Sequence, residues 1–157
     1  MQEIIASLDS DASSSDKFTF TFPKLRELRL WDLPQLKSIC SAKGVMVCNS
    51  IETIEIGGCS GIRKLFPLEL LQALQNLEVI TVFSCHQMQE IIASLDSDAS
   101  SSDKFTFTFP KLRELRLWDL PQLKSICSAK GVMVCNSIET IKIDGCPKLK
   151  RIPVQLP

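Results

Sequence analysis

The sequence predicts an α/β solenoid in which each coil carries one short parallel β-strand. The first observation is an internal duplication: residues 1–56 and 88–143 match without a gap at an offset of 87, and they differ only at Glu55 and Lys142. The second is a finer spacing, in which apolar residues recur at the first, fourth and sixth positions of five short stretches. Self-similarity of this kind is typical of repeat architectures, in which each unit packs on the next.

The five stretches lie at residues 25–30, 51–56, 77–82, 112–117 and 138–143. Their starts are 26, 26, 35 and 26 residues apart, and a second apolar series follows each stretch. One LxxLxL stretch would mean little because leucine is common, whereas five in register indicate leucine-rich repeats. Residues 1–157 are therefore predicted to form a single leucine-rich-repeat domain of about five coils. We expect a horseshoe arc with the short parallel strands on its concave face.

Alternation along these strands selects a candidate binding surface. The apolar residues point into the coil, so the residues between them point outward onto the inner face of the horseshoe. Tryptophan and arginine are enriched in interface hot spots. We therefore predict a partner-binding stripe that comprises Glu27, Arg29, Trp31, Thr53, Glu55, Gly57, Val79, Thr81, Phe83, Glu114, Arg116, Trp118, Thr140, Lys142 and Asp144. The alternative is that Trp31 and Trp118 pack on neighbouring side chains of the sheet and bind nothing.

The segments that connect the strands are predicted to be mostly irregular returns. Prolines at Pro23, Pro34, Pro67, Pro110 and Pro121 interrupt helix formation in them. Residues 68–75 are the exception, because Pro67 precedes an apolar run that favours a short helix.

A polar, serine-rich insertion occurs twice, at residues 8–16 and 95–103. It lacks the glycine and the closing glutamate of a calcium loop, and it is predicted to be a solvated loop. The stretch that follows, Phe18 to Phe22, alternates like a strand, and its phenylalanines are expected to pack inside or under the return.

The seven cysteines occupy positions that argue against disulfides. Cys59, Cys85 and Cys146 each fall three residues after the last apolar residue of a strand. In leucine-rich repeats this place holds Asn or Cys, whose polar group meets the backbone; Leu33 and Leu120 fill it in the other coils, so no continuous polar ladder is expected. An odd count and no export signal indicate reduced thiols in the cytoplasm. No CxxC pair occurs, so a metal site is not expected.

Charge and motif content argue against several function classes. The net charge is zero, and Glu27/Arg29 and Glu114/Arg116 offset each other, so no basic stripe for nucleic acid is expected. No apolar run approaches the ~20 residues of a membrane span. The single histidine, His86, follows Cys85, but adjacent side chains usually point apart and the sequence shows no acid placed to assist. We predict neither an enzyme nor a cofactor.

The substitution of Glu55 by Lys142 reverses a charge on the predicted binding stripe. Selection for altered partner choice would produce such a change, since rim charges set specificity. Chance placement of a single substitution is the other explanation.

Three segments carry a more specific resemblance: residues 22–40, 77–92 and 145–153. Together they resemble the carboxy-terminal repeats of plant nucleotide-binding, leucine-rich-repeat disease resistance proteins of the coiled-coil class, over essentially the whole chain. The resemblance implies a protein partner: a pathogen effector, a guarded host protein, or the receptor's own nucleotide-binding domain, which such repeats hold in its off state. No GxxxxGK[ST] phosphate-binding loop occurs in these 157 residues, so they would form only the sensing part.

Met1–Ile5 repeats Met88–Ile92, so the chain is expected to start in the middle of a coil. The alternative function is an isolated repeat fragment with a generic structural or binding role and no activity of its own. The oligomeric state and the identity of the partner cannot be derived from the sequence.

Overall fold

The computed structural model of the chain describes residues 3–5, 18–40, 44–47, 49–66, 74–92, 105–126, 131–150, 152 and 154–155. Within these ranges the backbone forms short strands: β1 (Glu3–Ile5), β2 (Phe18–Thr21), β3 (Glu27–Trp31), β4 (Ser38–Cys40), β5 (Gly44–Val47), β6 (Thr53–Gly57), β7 (Lys64–Phe66), β8 (Val79–Phe83), β9 (Glu90–Ile92), β10 (Phe105–Thr108), β11 (Glu114–Trp118), β12 (Gly131–Val134), β13 (Thr140–Asp144) and β14 (Val154–Gln155). The predicted helix at 68–75 and the predicted loops at 8–16 and 95–103 lie wholly or almost wholly outside the described residues.

The largest sheet has five parallel strands in the order β13-β11-β8-β6-β3. Each strand begins two residues after the start of its predicted apolar stretch and ends one residue beyond it. Adjacent strands pair without a register slip, so equivalent residues form continuous rows. A parallel sheet built from one strand of each successive coil is the leucine-rich-repeat solenoid that the sequence predicts, and the fold class is confirmed.

The core lies behind this sheet, where the alternate apolar residues of the strands meet the apolar residues of the returns. In β6, β8 and β11 these strand residues are at most 1% exposed. Burying each such aliphatic side chain contributes about 1.5–3 kcal/mol. In the outer coils Leu28 and Ile143 are only partly buried. In the large sheet β3 and β13 each pair with one strand only, so their apolar residues remain partly in contact with solvent.

The returns contain short parallel strands where irregular backbone was predicted. β1 pairs with β4, β2 with β5, β7 with β9, and β10, β12 and β14 form a three-stranded sheet. Proline prevents a helix here, but coils stacked at a constant spacing can still pair their returns in parallel. The predicted strand after the insertion is confirmed in both copies as β2 and β10. Phe109 is buried as expected, whereas its equivalent in the first coil, Phe22, is exposed.

Each strand of the large sheet is followed directly by a residue in the left-handed conformation. Asp32, Gly58, Ser84, Asp119 and Gly145 have φ between 51° and 67°. The amide of Asp32 donates to the carbonyl of Gly57 at 2.9 Å, and three equivalent bonds continue this ladder to the last coil. Glycine is needed most at position 58, where a Cβ would also come within 2.5 Å of an Asp32 carboxylate oxygen. The chain therefore leaves every strand through the same turn.

Candidate functional site

The outward residues of the five strands form three rows on one face of the large sheet, which we call the open face. The first row is Glu27, Thr53, Val79, Glu114 and Thr140; the middle row is Arg29, Glu55, Thr81, Arg116 and Lys142; the last row is Trp31, Gly57, Phe83, Trp118 and Asp144. Strand pairing in register thus brings all of the sequence-predicted stripe together. The first and last strands are four strand steps apart, which is about 19 Å across the sheet at ~4.8 Å per step.

Ion pairs join the first and middle rows. Arg29 lies 3.4 Å from Glu27, and the same pair in the second copy, Arg116 and Glu114, is closer at 2.7 Å. Both arginines are therefore drawn toward the first row, away from the last one. Between them Thr81 is buried, with 6% of its surface exposed. The charges of the arginines are compensated within the open face.

Aromatic rings dominate the last row. Trp31 is 54% exposed and Trp118 is 39% exposed. The rings of Phe83 and Trp118 stack with their centroids 4.9 Å apart and an angle of 9° between the planes. Gly57 makes room for Phe83, because a Cβ at this position would lie 2.1–2.6 Å from three ring atoms. Trp118 thus packs on a neighbour, as one interpretation of the sequence required, and still presents surface to solvent.

The single difference between the duplicated blocks changes the surroundings of the tryptophans. Trp31 donates from its Nε1 to Glu55 Oε2 at 3.0 Å. The equivalent neighbour of Trp118 is Lys142, which has no acceptor to offer. A hydrogen bond orients the first tryptophan, whereas ring stacking orients the second.

A polar network lies where the last row meets the left-handed turns. Ser84 Oγ donates to Asp119 Oδ2 at 2.8 Å, and His86 Nε2 lies 3.4 Å from the same oxygen. These two contacts, that of Ser84 first, lower the pKa of Asp119. The sequence-based expectation that no acid is placed near His86 is wrong. Position 119 is the equivalent of position 84 one coil later, so coil spacing was the signal that would have revealed it.

This network does not have the order of a nucleophilic triad. Ser84 donates to the carboxylate, whereas an activated nucleophile must donate to its base. Cys85 is buried and His86 is exposed, so the adjacent side chains point apart as predicted. Burial raises the pKa of Cys85 to about 11, which keeps the thiol protonated at neutral pH.

The cysteines at the predicted turn position meet backbone carbonyls. Cys59 Sγ lies 3.6 Å from the carbonyl oxygens of Leu30 and Gly57, and Cys85 Sγ lies 3.3 Å from that of Phe83. The predicted role of these thiols is confirmed, and Leu120 interrupts their row as a buried apolar residue. In the described part of the chain, no three His, Cys, Asp or Glu side chains are grouped so that they could hold a metal ion.

Basic side chains collect on the returns. Backbone hydrogen bonds align these positions in one row: the Gln89 amide donates to the Arg63 carbonyl at 2.7 Å, and the Lys124 amide donates to the Gln89 carbonyl at 2.9 Å. Lys37, Arg63, Lys124 and Lys150 are all exposed there. Lys37 and Lys124 are equivalent residues of the two copies, as Trp31 and Trp118 are. None of the described residues forms a helix long and apolar enough to cross a membrane.

Comparison with known proteins relates these coils to plant immunity. The profile of the family "Plant disease resistance protein RPS2-like, leucine-rich repeats" matches residues 1–70 and 44–154. The chain is 31% identical over 147 residues to the Probable disease resistance protein At4g27220 of Arabidopsis thaliana, which covers 90% of this chain and 15% of that protein. Disease resistance protein At4g27190 of the same plant is 28% identical over 152 residues, which is 96% of this chain and 14% of the relative.

Disease resistance protein RGA2 of Solanum bulbocastanum is 28% identical over 114 residues, which is 60% of this chain and 12% of the relative. The chain therefore spans well under a fifth of the length of these relatives. No solved structure matches it. The repeat spacing, the stacked parallel strands and the matched profile agree, and the chain belongs to the leucine-rich-repeat family of the RPS2-like plant disease resistance proteins.

Proposed function

We propose that the chain is a non-catalytic protein-interaction region of a cytoplasmic plant immune receptor, and that the open face is its partner surface. The observation that carries this proposal is the exposure of Trp31 and of the Phe83–Trp118 stack on one sheet face. Aromatic side chains that stay exposed on a rigid sheet can contribute much area at little conformational cost. The relatives named as disease resistance proteins support a role in recognition.

Three protein partners fit this role: a pathogen effector, a guarded host protein, or the receptor's own nucleotide-binding domain. Contact with the first two would sense infection, and contact with the third would hold the receptor in its off state. All three would use the same kind of surface, a preformed sheet with fixed side chains, so the geometry supports the class of partner and not one member of it.

The size of the open face supports a contribution to a larger interface. Five strands at ~4.8 Å spacing and five residues at ~3.3 Å each cover roughly 400 Å². A stable protein–protein interface buries about 800 Å² on each partner. Since the relatives are several times longer than this chain, further coils of such a protein would supply the remaining area.

Comparative capture from plant leaf extract tests the proposal. The immobilised 157-residue chain is compared with the double variant Trp31→Ala/Trp118→Ala and with a matched control, Lys37→Ala/Lys124→Ala, which changes two equivalent exposed residues on the returns. We expect proteins that bind the natural chain to fall by about 10-fold or more on the tryptophan variant and to be retained on the lysine variant, because truncated hot spots cost ≥ ~2 kcal/mol.

Circular dichroism of both variants is the control for folding, and we expect it to match that of the natural chain. Binding that is insensitive to both tryptophans would contradict an interaction surface on the open face. A chain that captures no protein at all would favour the alternative, a repeat fragment without activity of its own.

A further inference from the structure

Four carboxylates lie near the tryptophans of the open face. Asp32 and Asp119 occupy the left-handed turns directly after the tryptophans, Asp144 ends the last row, and Glu55 bonds to Trp31. Arg29 and Arg116 are paired with glutamates of the first row and so do not offset these acids. We call this group the acidic-aromatic edge, and define it as Trp31, Asp32, Glu55, Trp118, Asp119 and Asp144.

The edge combines two features that favour the same ligand chemistry. An indole ring is the best aromatic partner for a cation placed over its face, within about 6 Å. A carboxylate beside the ring can pair with the same cation. A guanidinium can make both contacts, because it is planar and can stack on the ring while its N–H groups donate to the carboxylate. Trp31 is more than half exposed, and Trp118 uses one ring face for Phe83. An acidic or purely apolar partner would gain neither contact.

We propose that the two Trp–Asp pairs of the duplication, Trp31–Asp32 and Trp118–Asp119, each accept a cationic side chain of one basic partner segment. The inference rests on the proposed function of the open face and adds the chemistry of its partner. The pairs are three strand steps apart in the sheet, which is about 14 Å at ~4.8 Å per step. An extended segment rises ~3.3 Å per residue, so arginines or lysines at positions i and i+4 span that distance.

The substitution of Glu55 by Lys142 predicts that the two sites differ in their affinity for a cationic side chain. At the first, Glu55 lies 3.0 Å from the Trp31 nitrogen, so a second carboxylate is in direct contact with the indole. At the second, Lys142 occupies the equivalent position and repels a cation. Asp119 also accepts hydrogen bonds from Ser84 and His86, which reduces its capacity for a ligand. The first site therefore binds the cationic side chain more tightly than the second.

Tryptophan fluorescence can follow each site separately, because the chain has two tryptophans and no tyrosine. Trp118→Phe leaves Trp31 as the reporter, and Trp31→Phe leaves Trp118. The probe is a synthetic serine-rich peptide with arginine at positions i and i+4, titrated to millimolar concentration at low salt. Two matched peptides carry glutamine or glutamate in place of both arginines.

We expect the arginine peptide to change both signals, with half-saturation at a concentration about 3- to 5-fold lower for Trp118→Phe than for Trp31→Phe, because Trp31→Phe removes the indole of the tighter site. Glu55→Lys should weaken binding at the first site by about 5-fold, and Lys142→Glu should strengthen binding at the second by a similar factor. Lys37→Glu, on the returns, is the control for net charge and should leave both titrations unchanged. Added salt should weaken all of these interactions.

Equal binding of the glutamine peptide, preferential binding of the glutamate peptide, no signal with the arginine peptide, or charge variants without effect would each overturn the inference. The two proposals fail in distinguishable ways. If capture of leaf proteins requires the tryptophans but the arginine peptide does not bind, the open face is an interaction surface and the inference of a basic partner is wrong. If capture is insensitive to the tryptophans, the interaction surface itself is excluded.

Discussion

Two buried thiols show how single residues respond to the packing of the coils. Cys85 lies at the turn after β8, and Cys135 lies just after β12; both side chains are fully buried. Burial raises the pKa of each to about 11 from an ordinary value of 9.0. The folded chain therefore holds protons on these sulfurs at pH values at which the unfolded chain has lost them.

This difference predicts a loss of stability at alkaline pH. Since the folded-state pKa values are raised, the free energy that they contribute is fully present below pH 9 and is lost as the pH rises through about 11. Urea unfolding followed by tryptophan fluorescence between pH 8 and pH 11 measures it.

The double variant Cys85→Ala/Cys135→Ala is the control. It should be less stable at every pH because two buried side chains are shortened, but its stability should fall less steeply with pH. No tyrosine titrates in this range, since the chain has none. Equal slopes for the two proteins would show that the thiols do not couple folding to pH.

At the scale of the strand and its turn, position matters more than residue type. The left-handed turns are formed by aspartate, serine and glycine, which are small residues that favour turns but also occur at many other places in the chain. Strand positions could be predicted to within two residues because alternation and repeat spacing fix them. The left-handed turns could not, since no common residue marks them.

Side-chain contacts between coils are the part of the candidate site that the sequence does not predict. The repeat spacing predicts that Phe83 and Trp118 belong to the same stripe, and the strand pairing makes them neighbours in one row. The spacing does not predict that the two rings stack, because this depends on the space that Gly57 leaves for Phe83. In the same way, coil spacing places Asp119 one coil after Ser84, but the contacts of its carboxylate with Ser84 and His86 depend on side-chain conformation.

Replacing Gly145 tests the turn. At φ 67° a Cβ is disfavoured, and here it would also meet the backbone of Asp119 at 3.1–3.3 Å. We expect Gly145→Ala to lower the free energy of unfolding by about 1–2 kcal/mol, and Gly145→Asn to lower it by less, because asparagine tolerates the left-handed region. Equal losses in urea unfolding for the two variants would mean that steric contact, and not backbone conformation, determines the cost.

For the molecule as a whole, stability should decrease from the centre of the array outward. The β8 strand has paired neighbours on both sides, whereas β3 and β13 each have one in the large sheet. The apolar residues of the outer coils are also less completely buried. In a solenoid the stability of a coil is close to its own contribution plus that of its contacts with the adjacent coils, so a coil with one neighbour opens more readily.

Hydrogen exchange measured by mass spectrometry checks this gradient. Peptides that cover Ile80–Val82 should exchange at least ~10-fold more slowly than peptides that cover Ile141–Ile143. Both segments occupy the same positions of their strands, and each has apolar residues on either side of one outward residue. Uniform protection across the sheet would mean that the array opens as a single cooperative unit.

The duplication has a genetic consequence that follows from the order of the coils. The junctions β3 to β6, β6 to β8 and β8 to β11 already include every kind of coil-to-coil contact that one more 87-residue unit would create. An in-frame gain or loss of that unit by unequal recombination would therefore require no new core packing. Such an event would change the array by three strands at once and would add or remove one tryptophan on the open face. The length of the open face can therefore change without any change in the fold of the single coil.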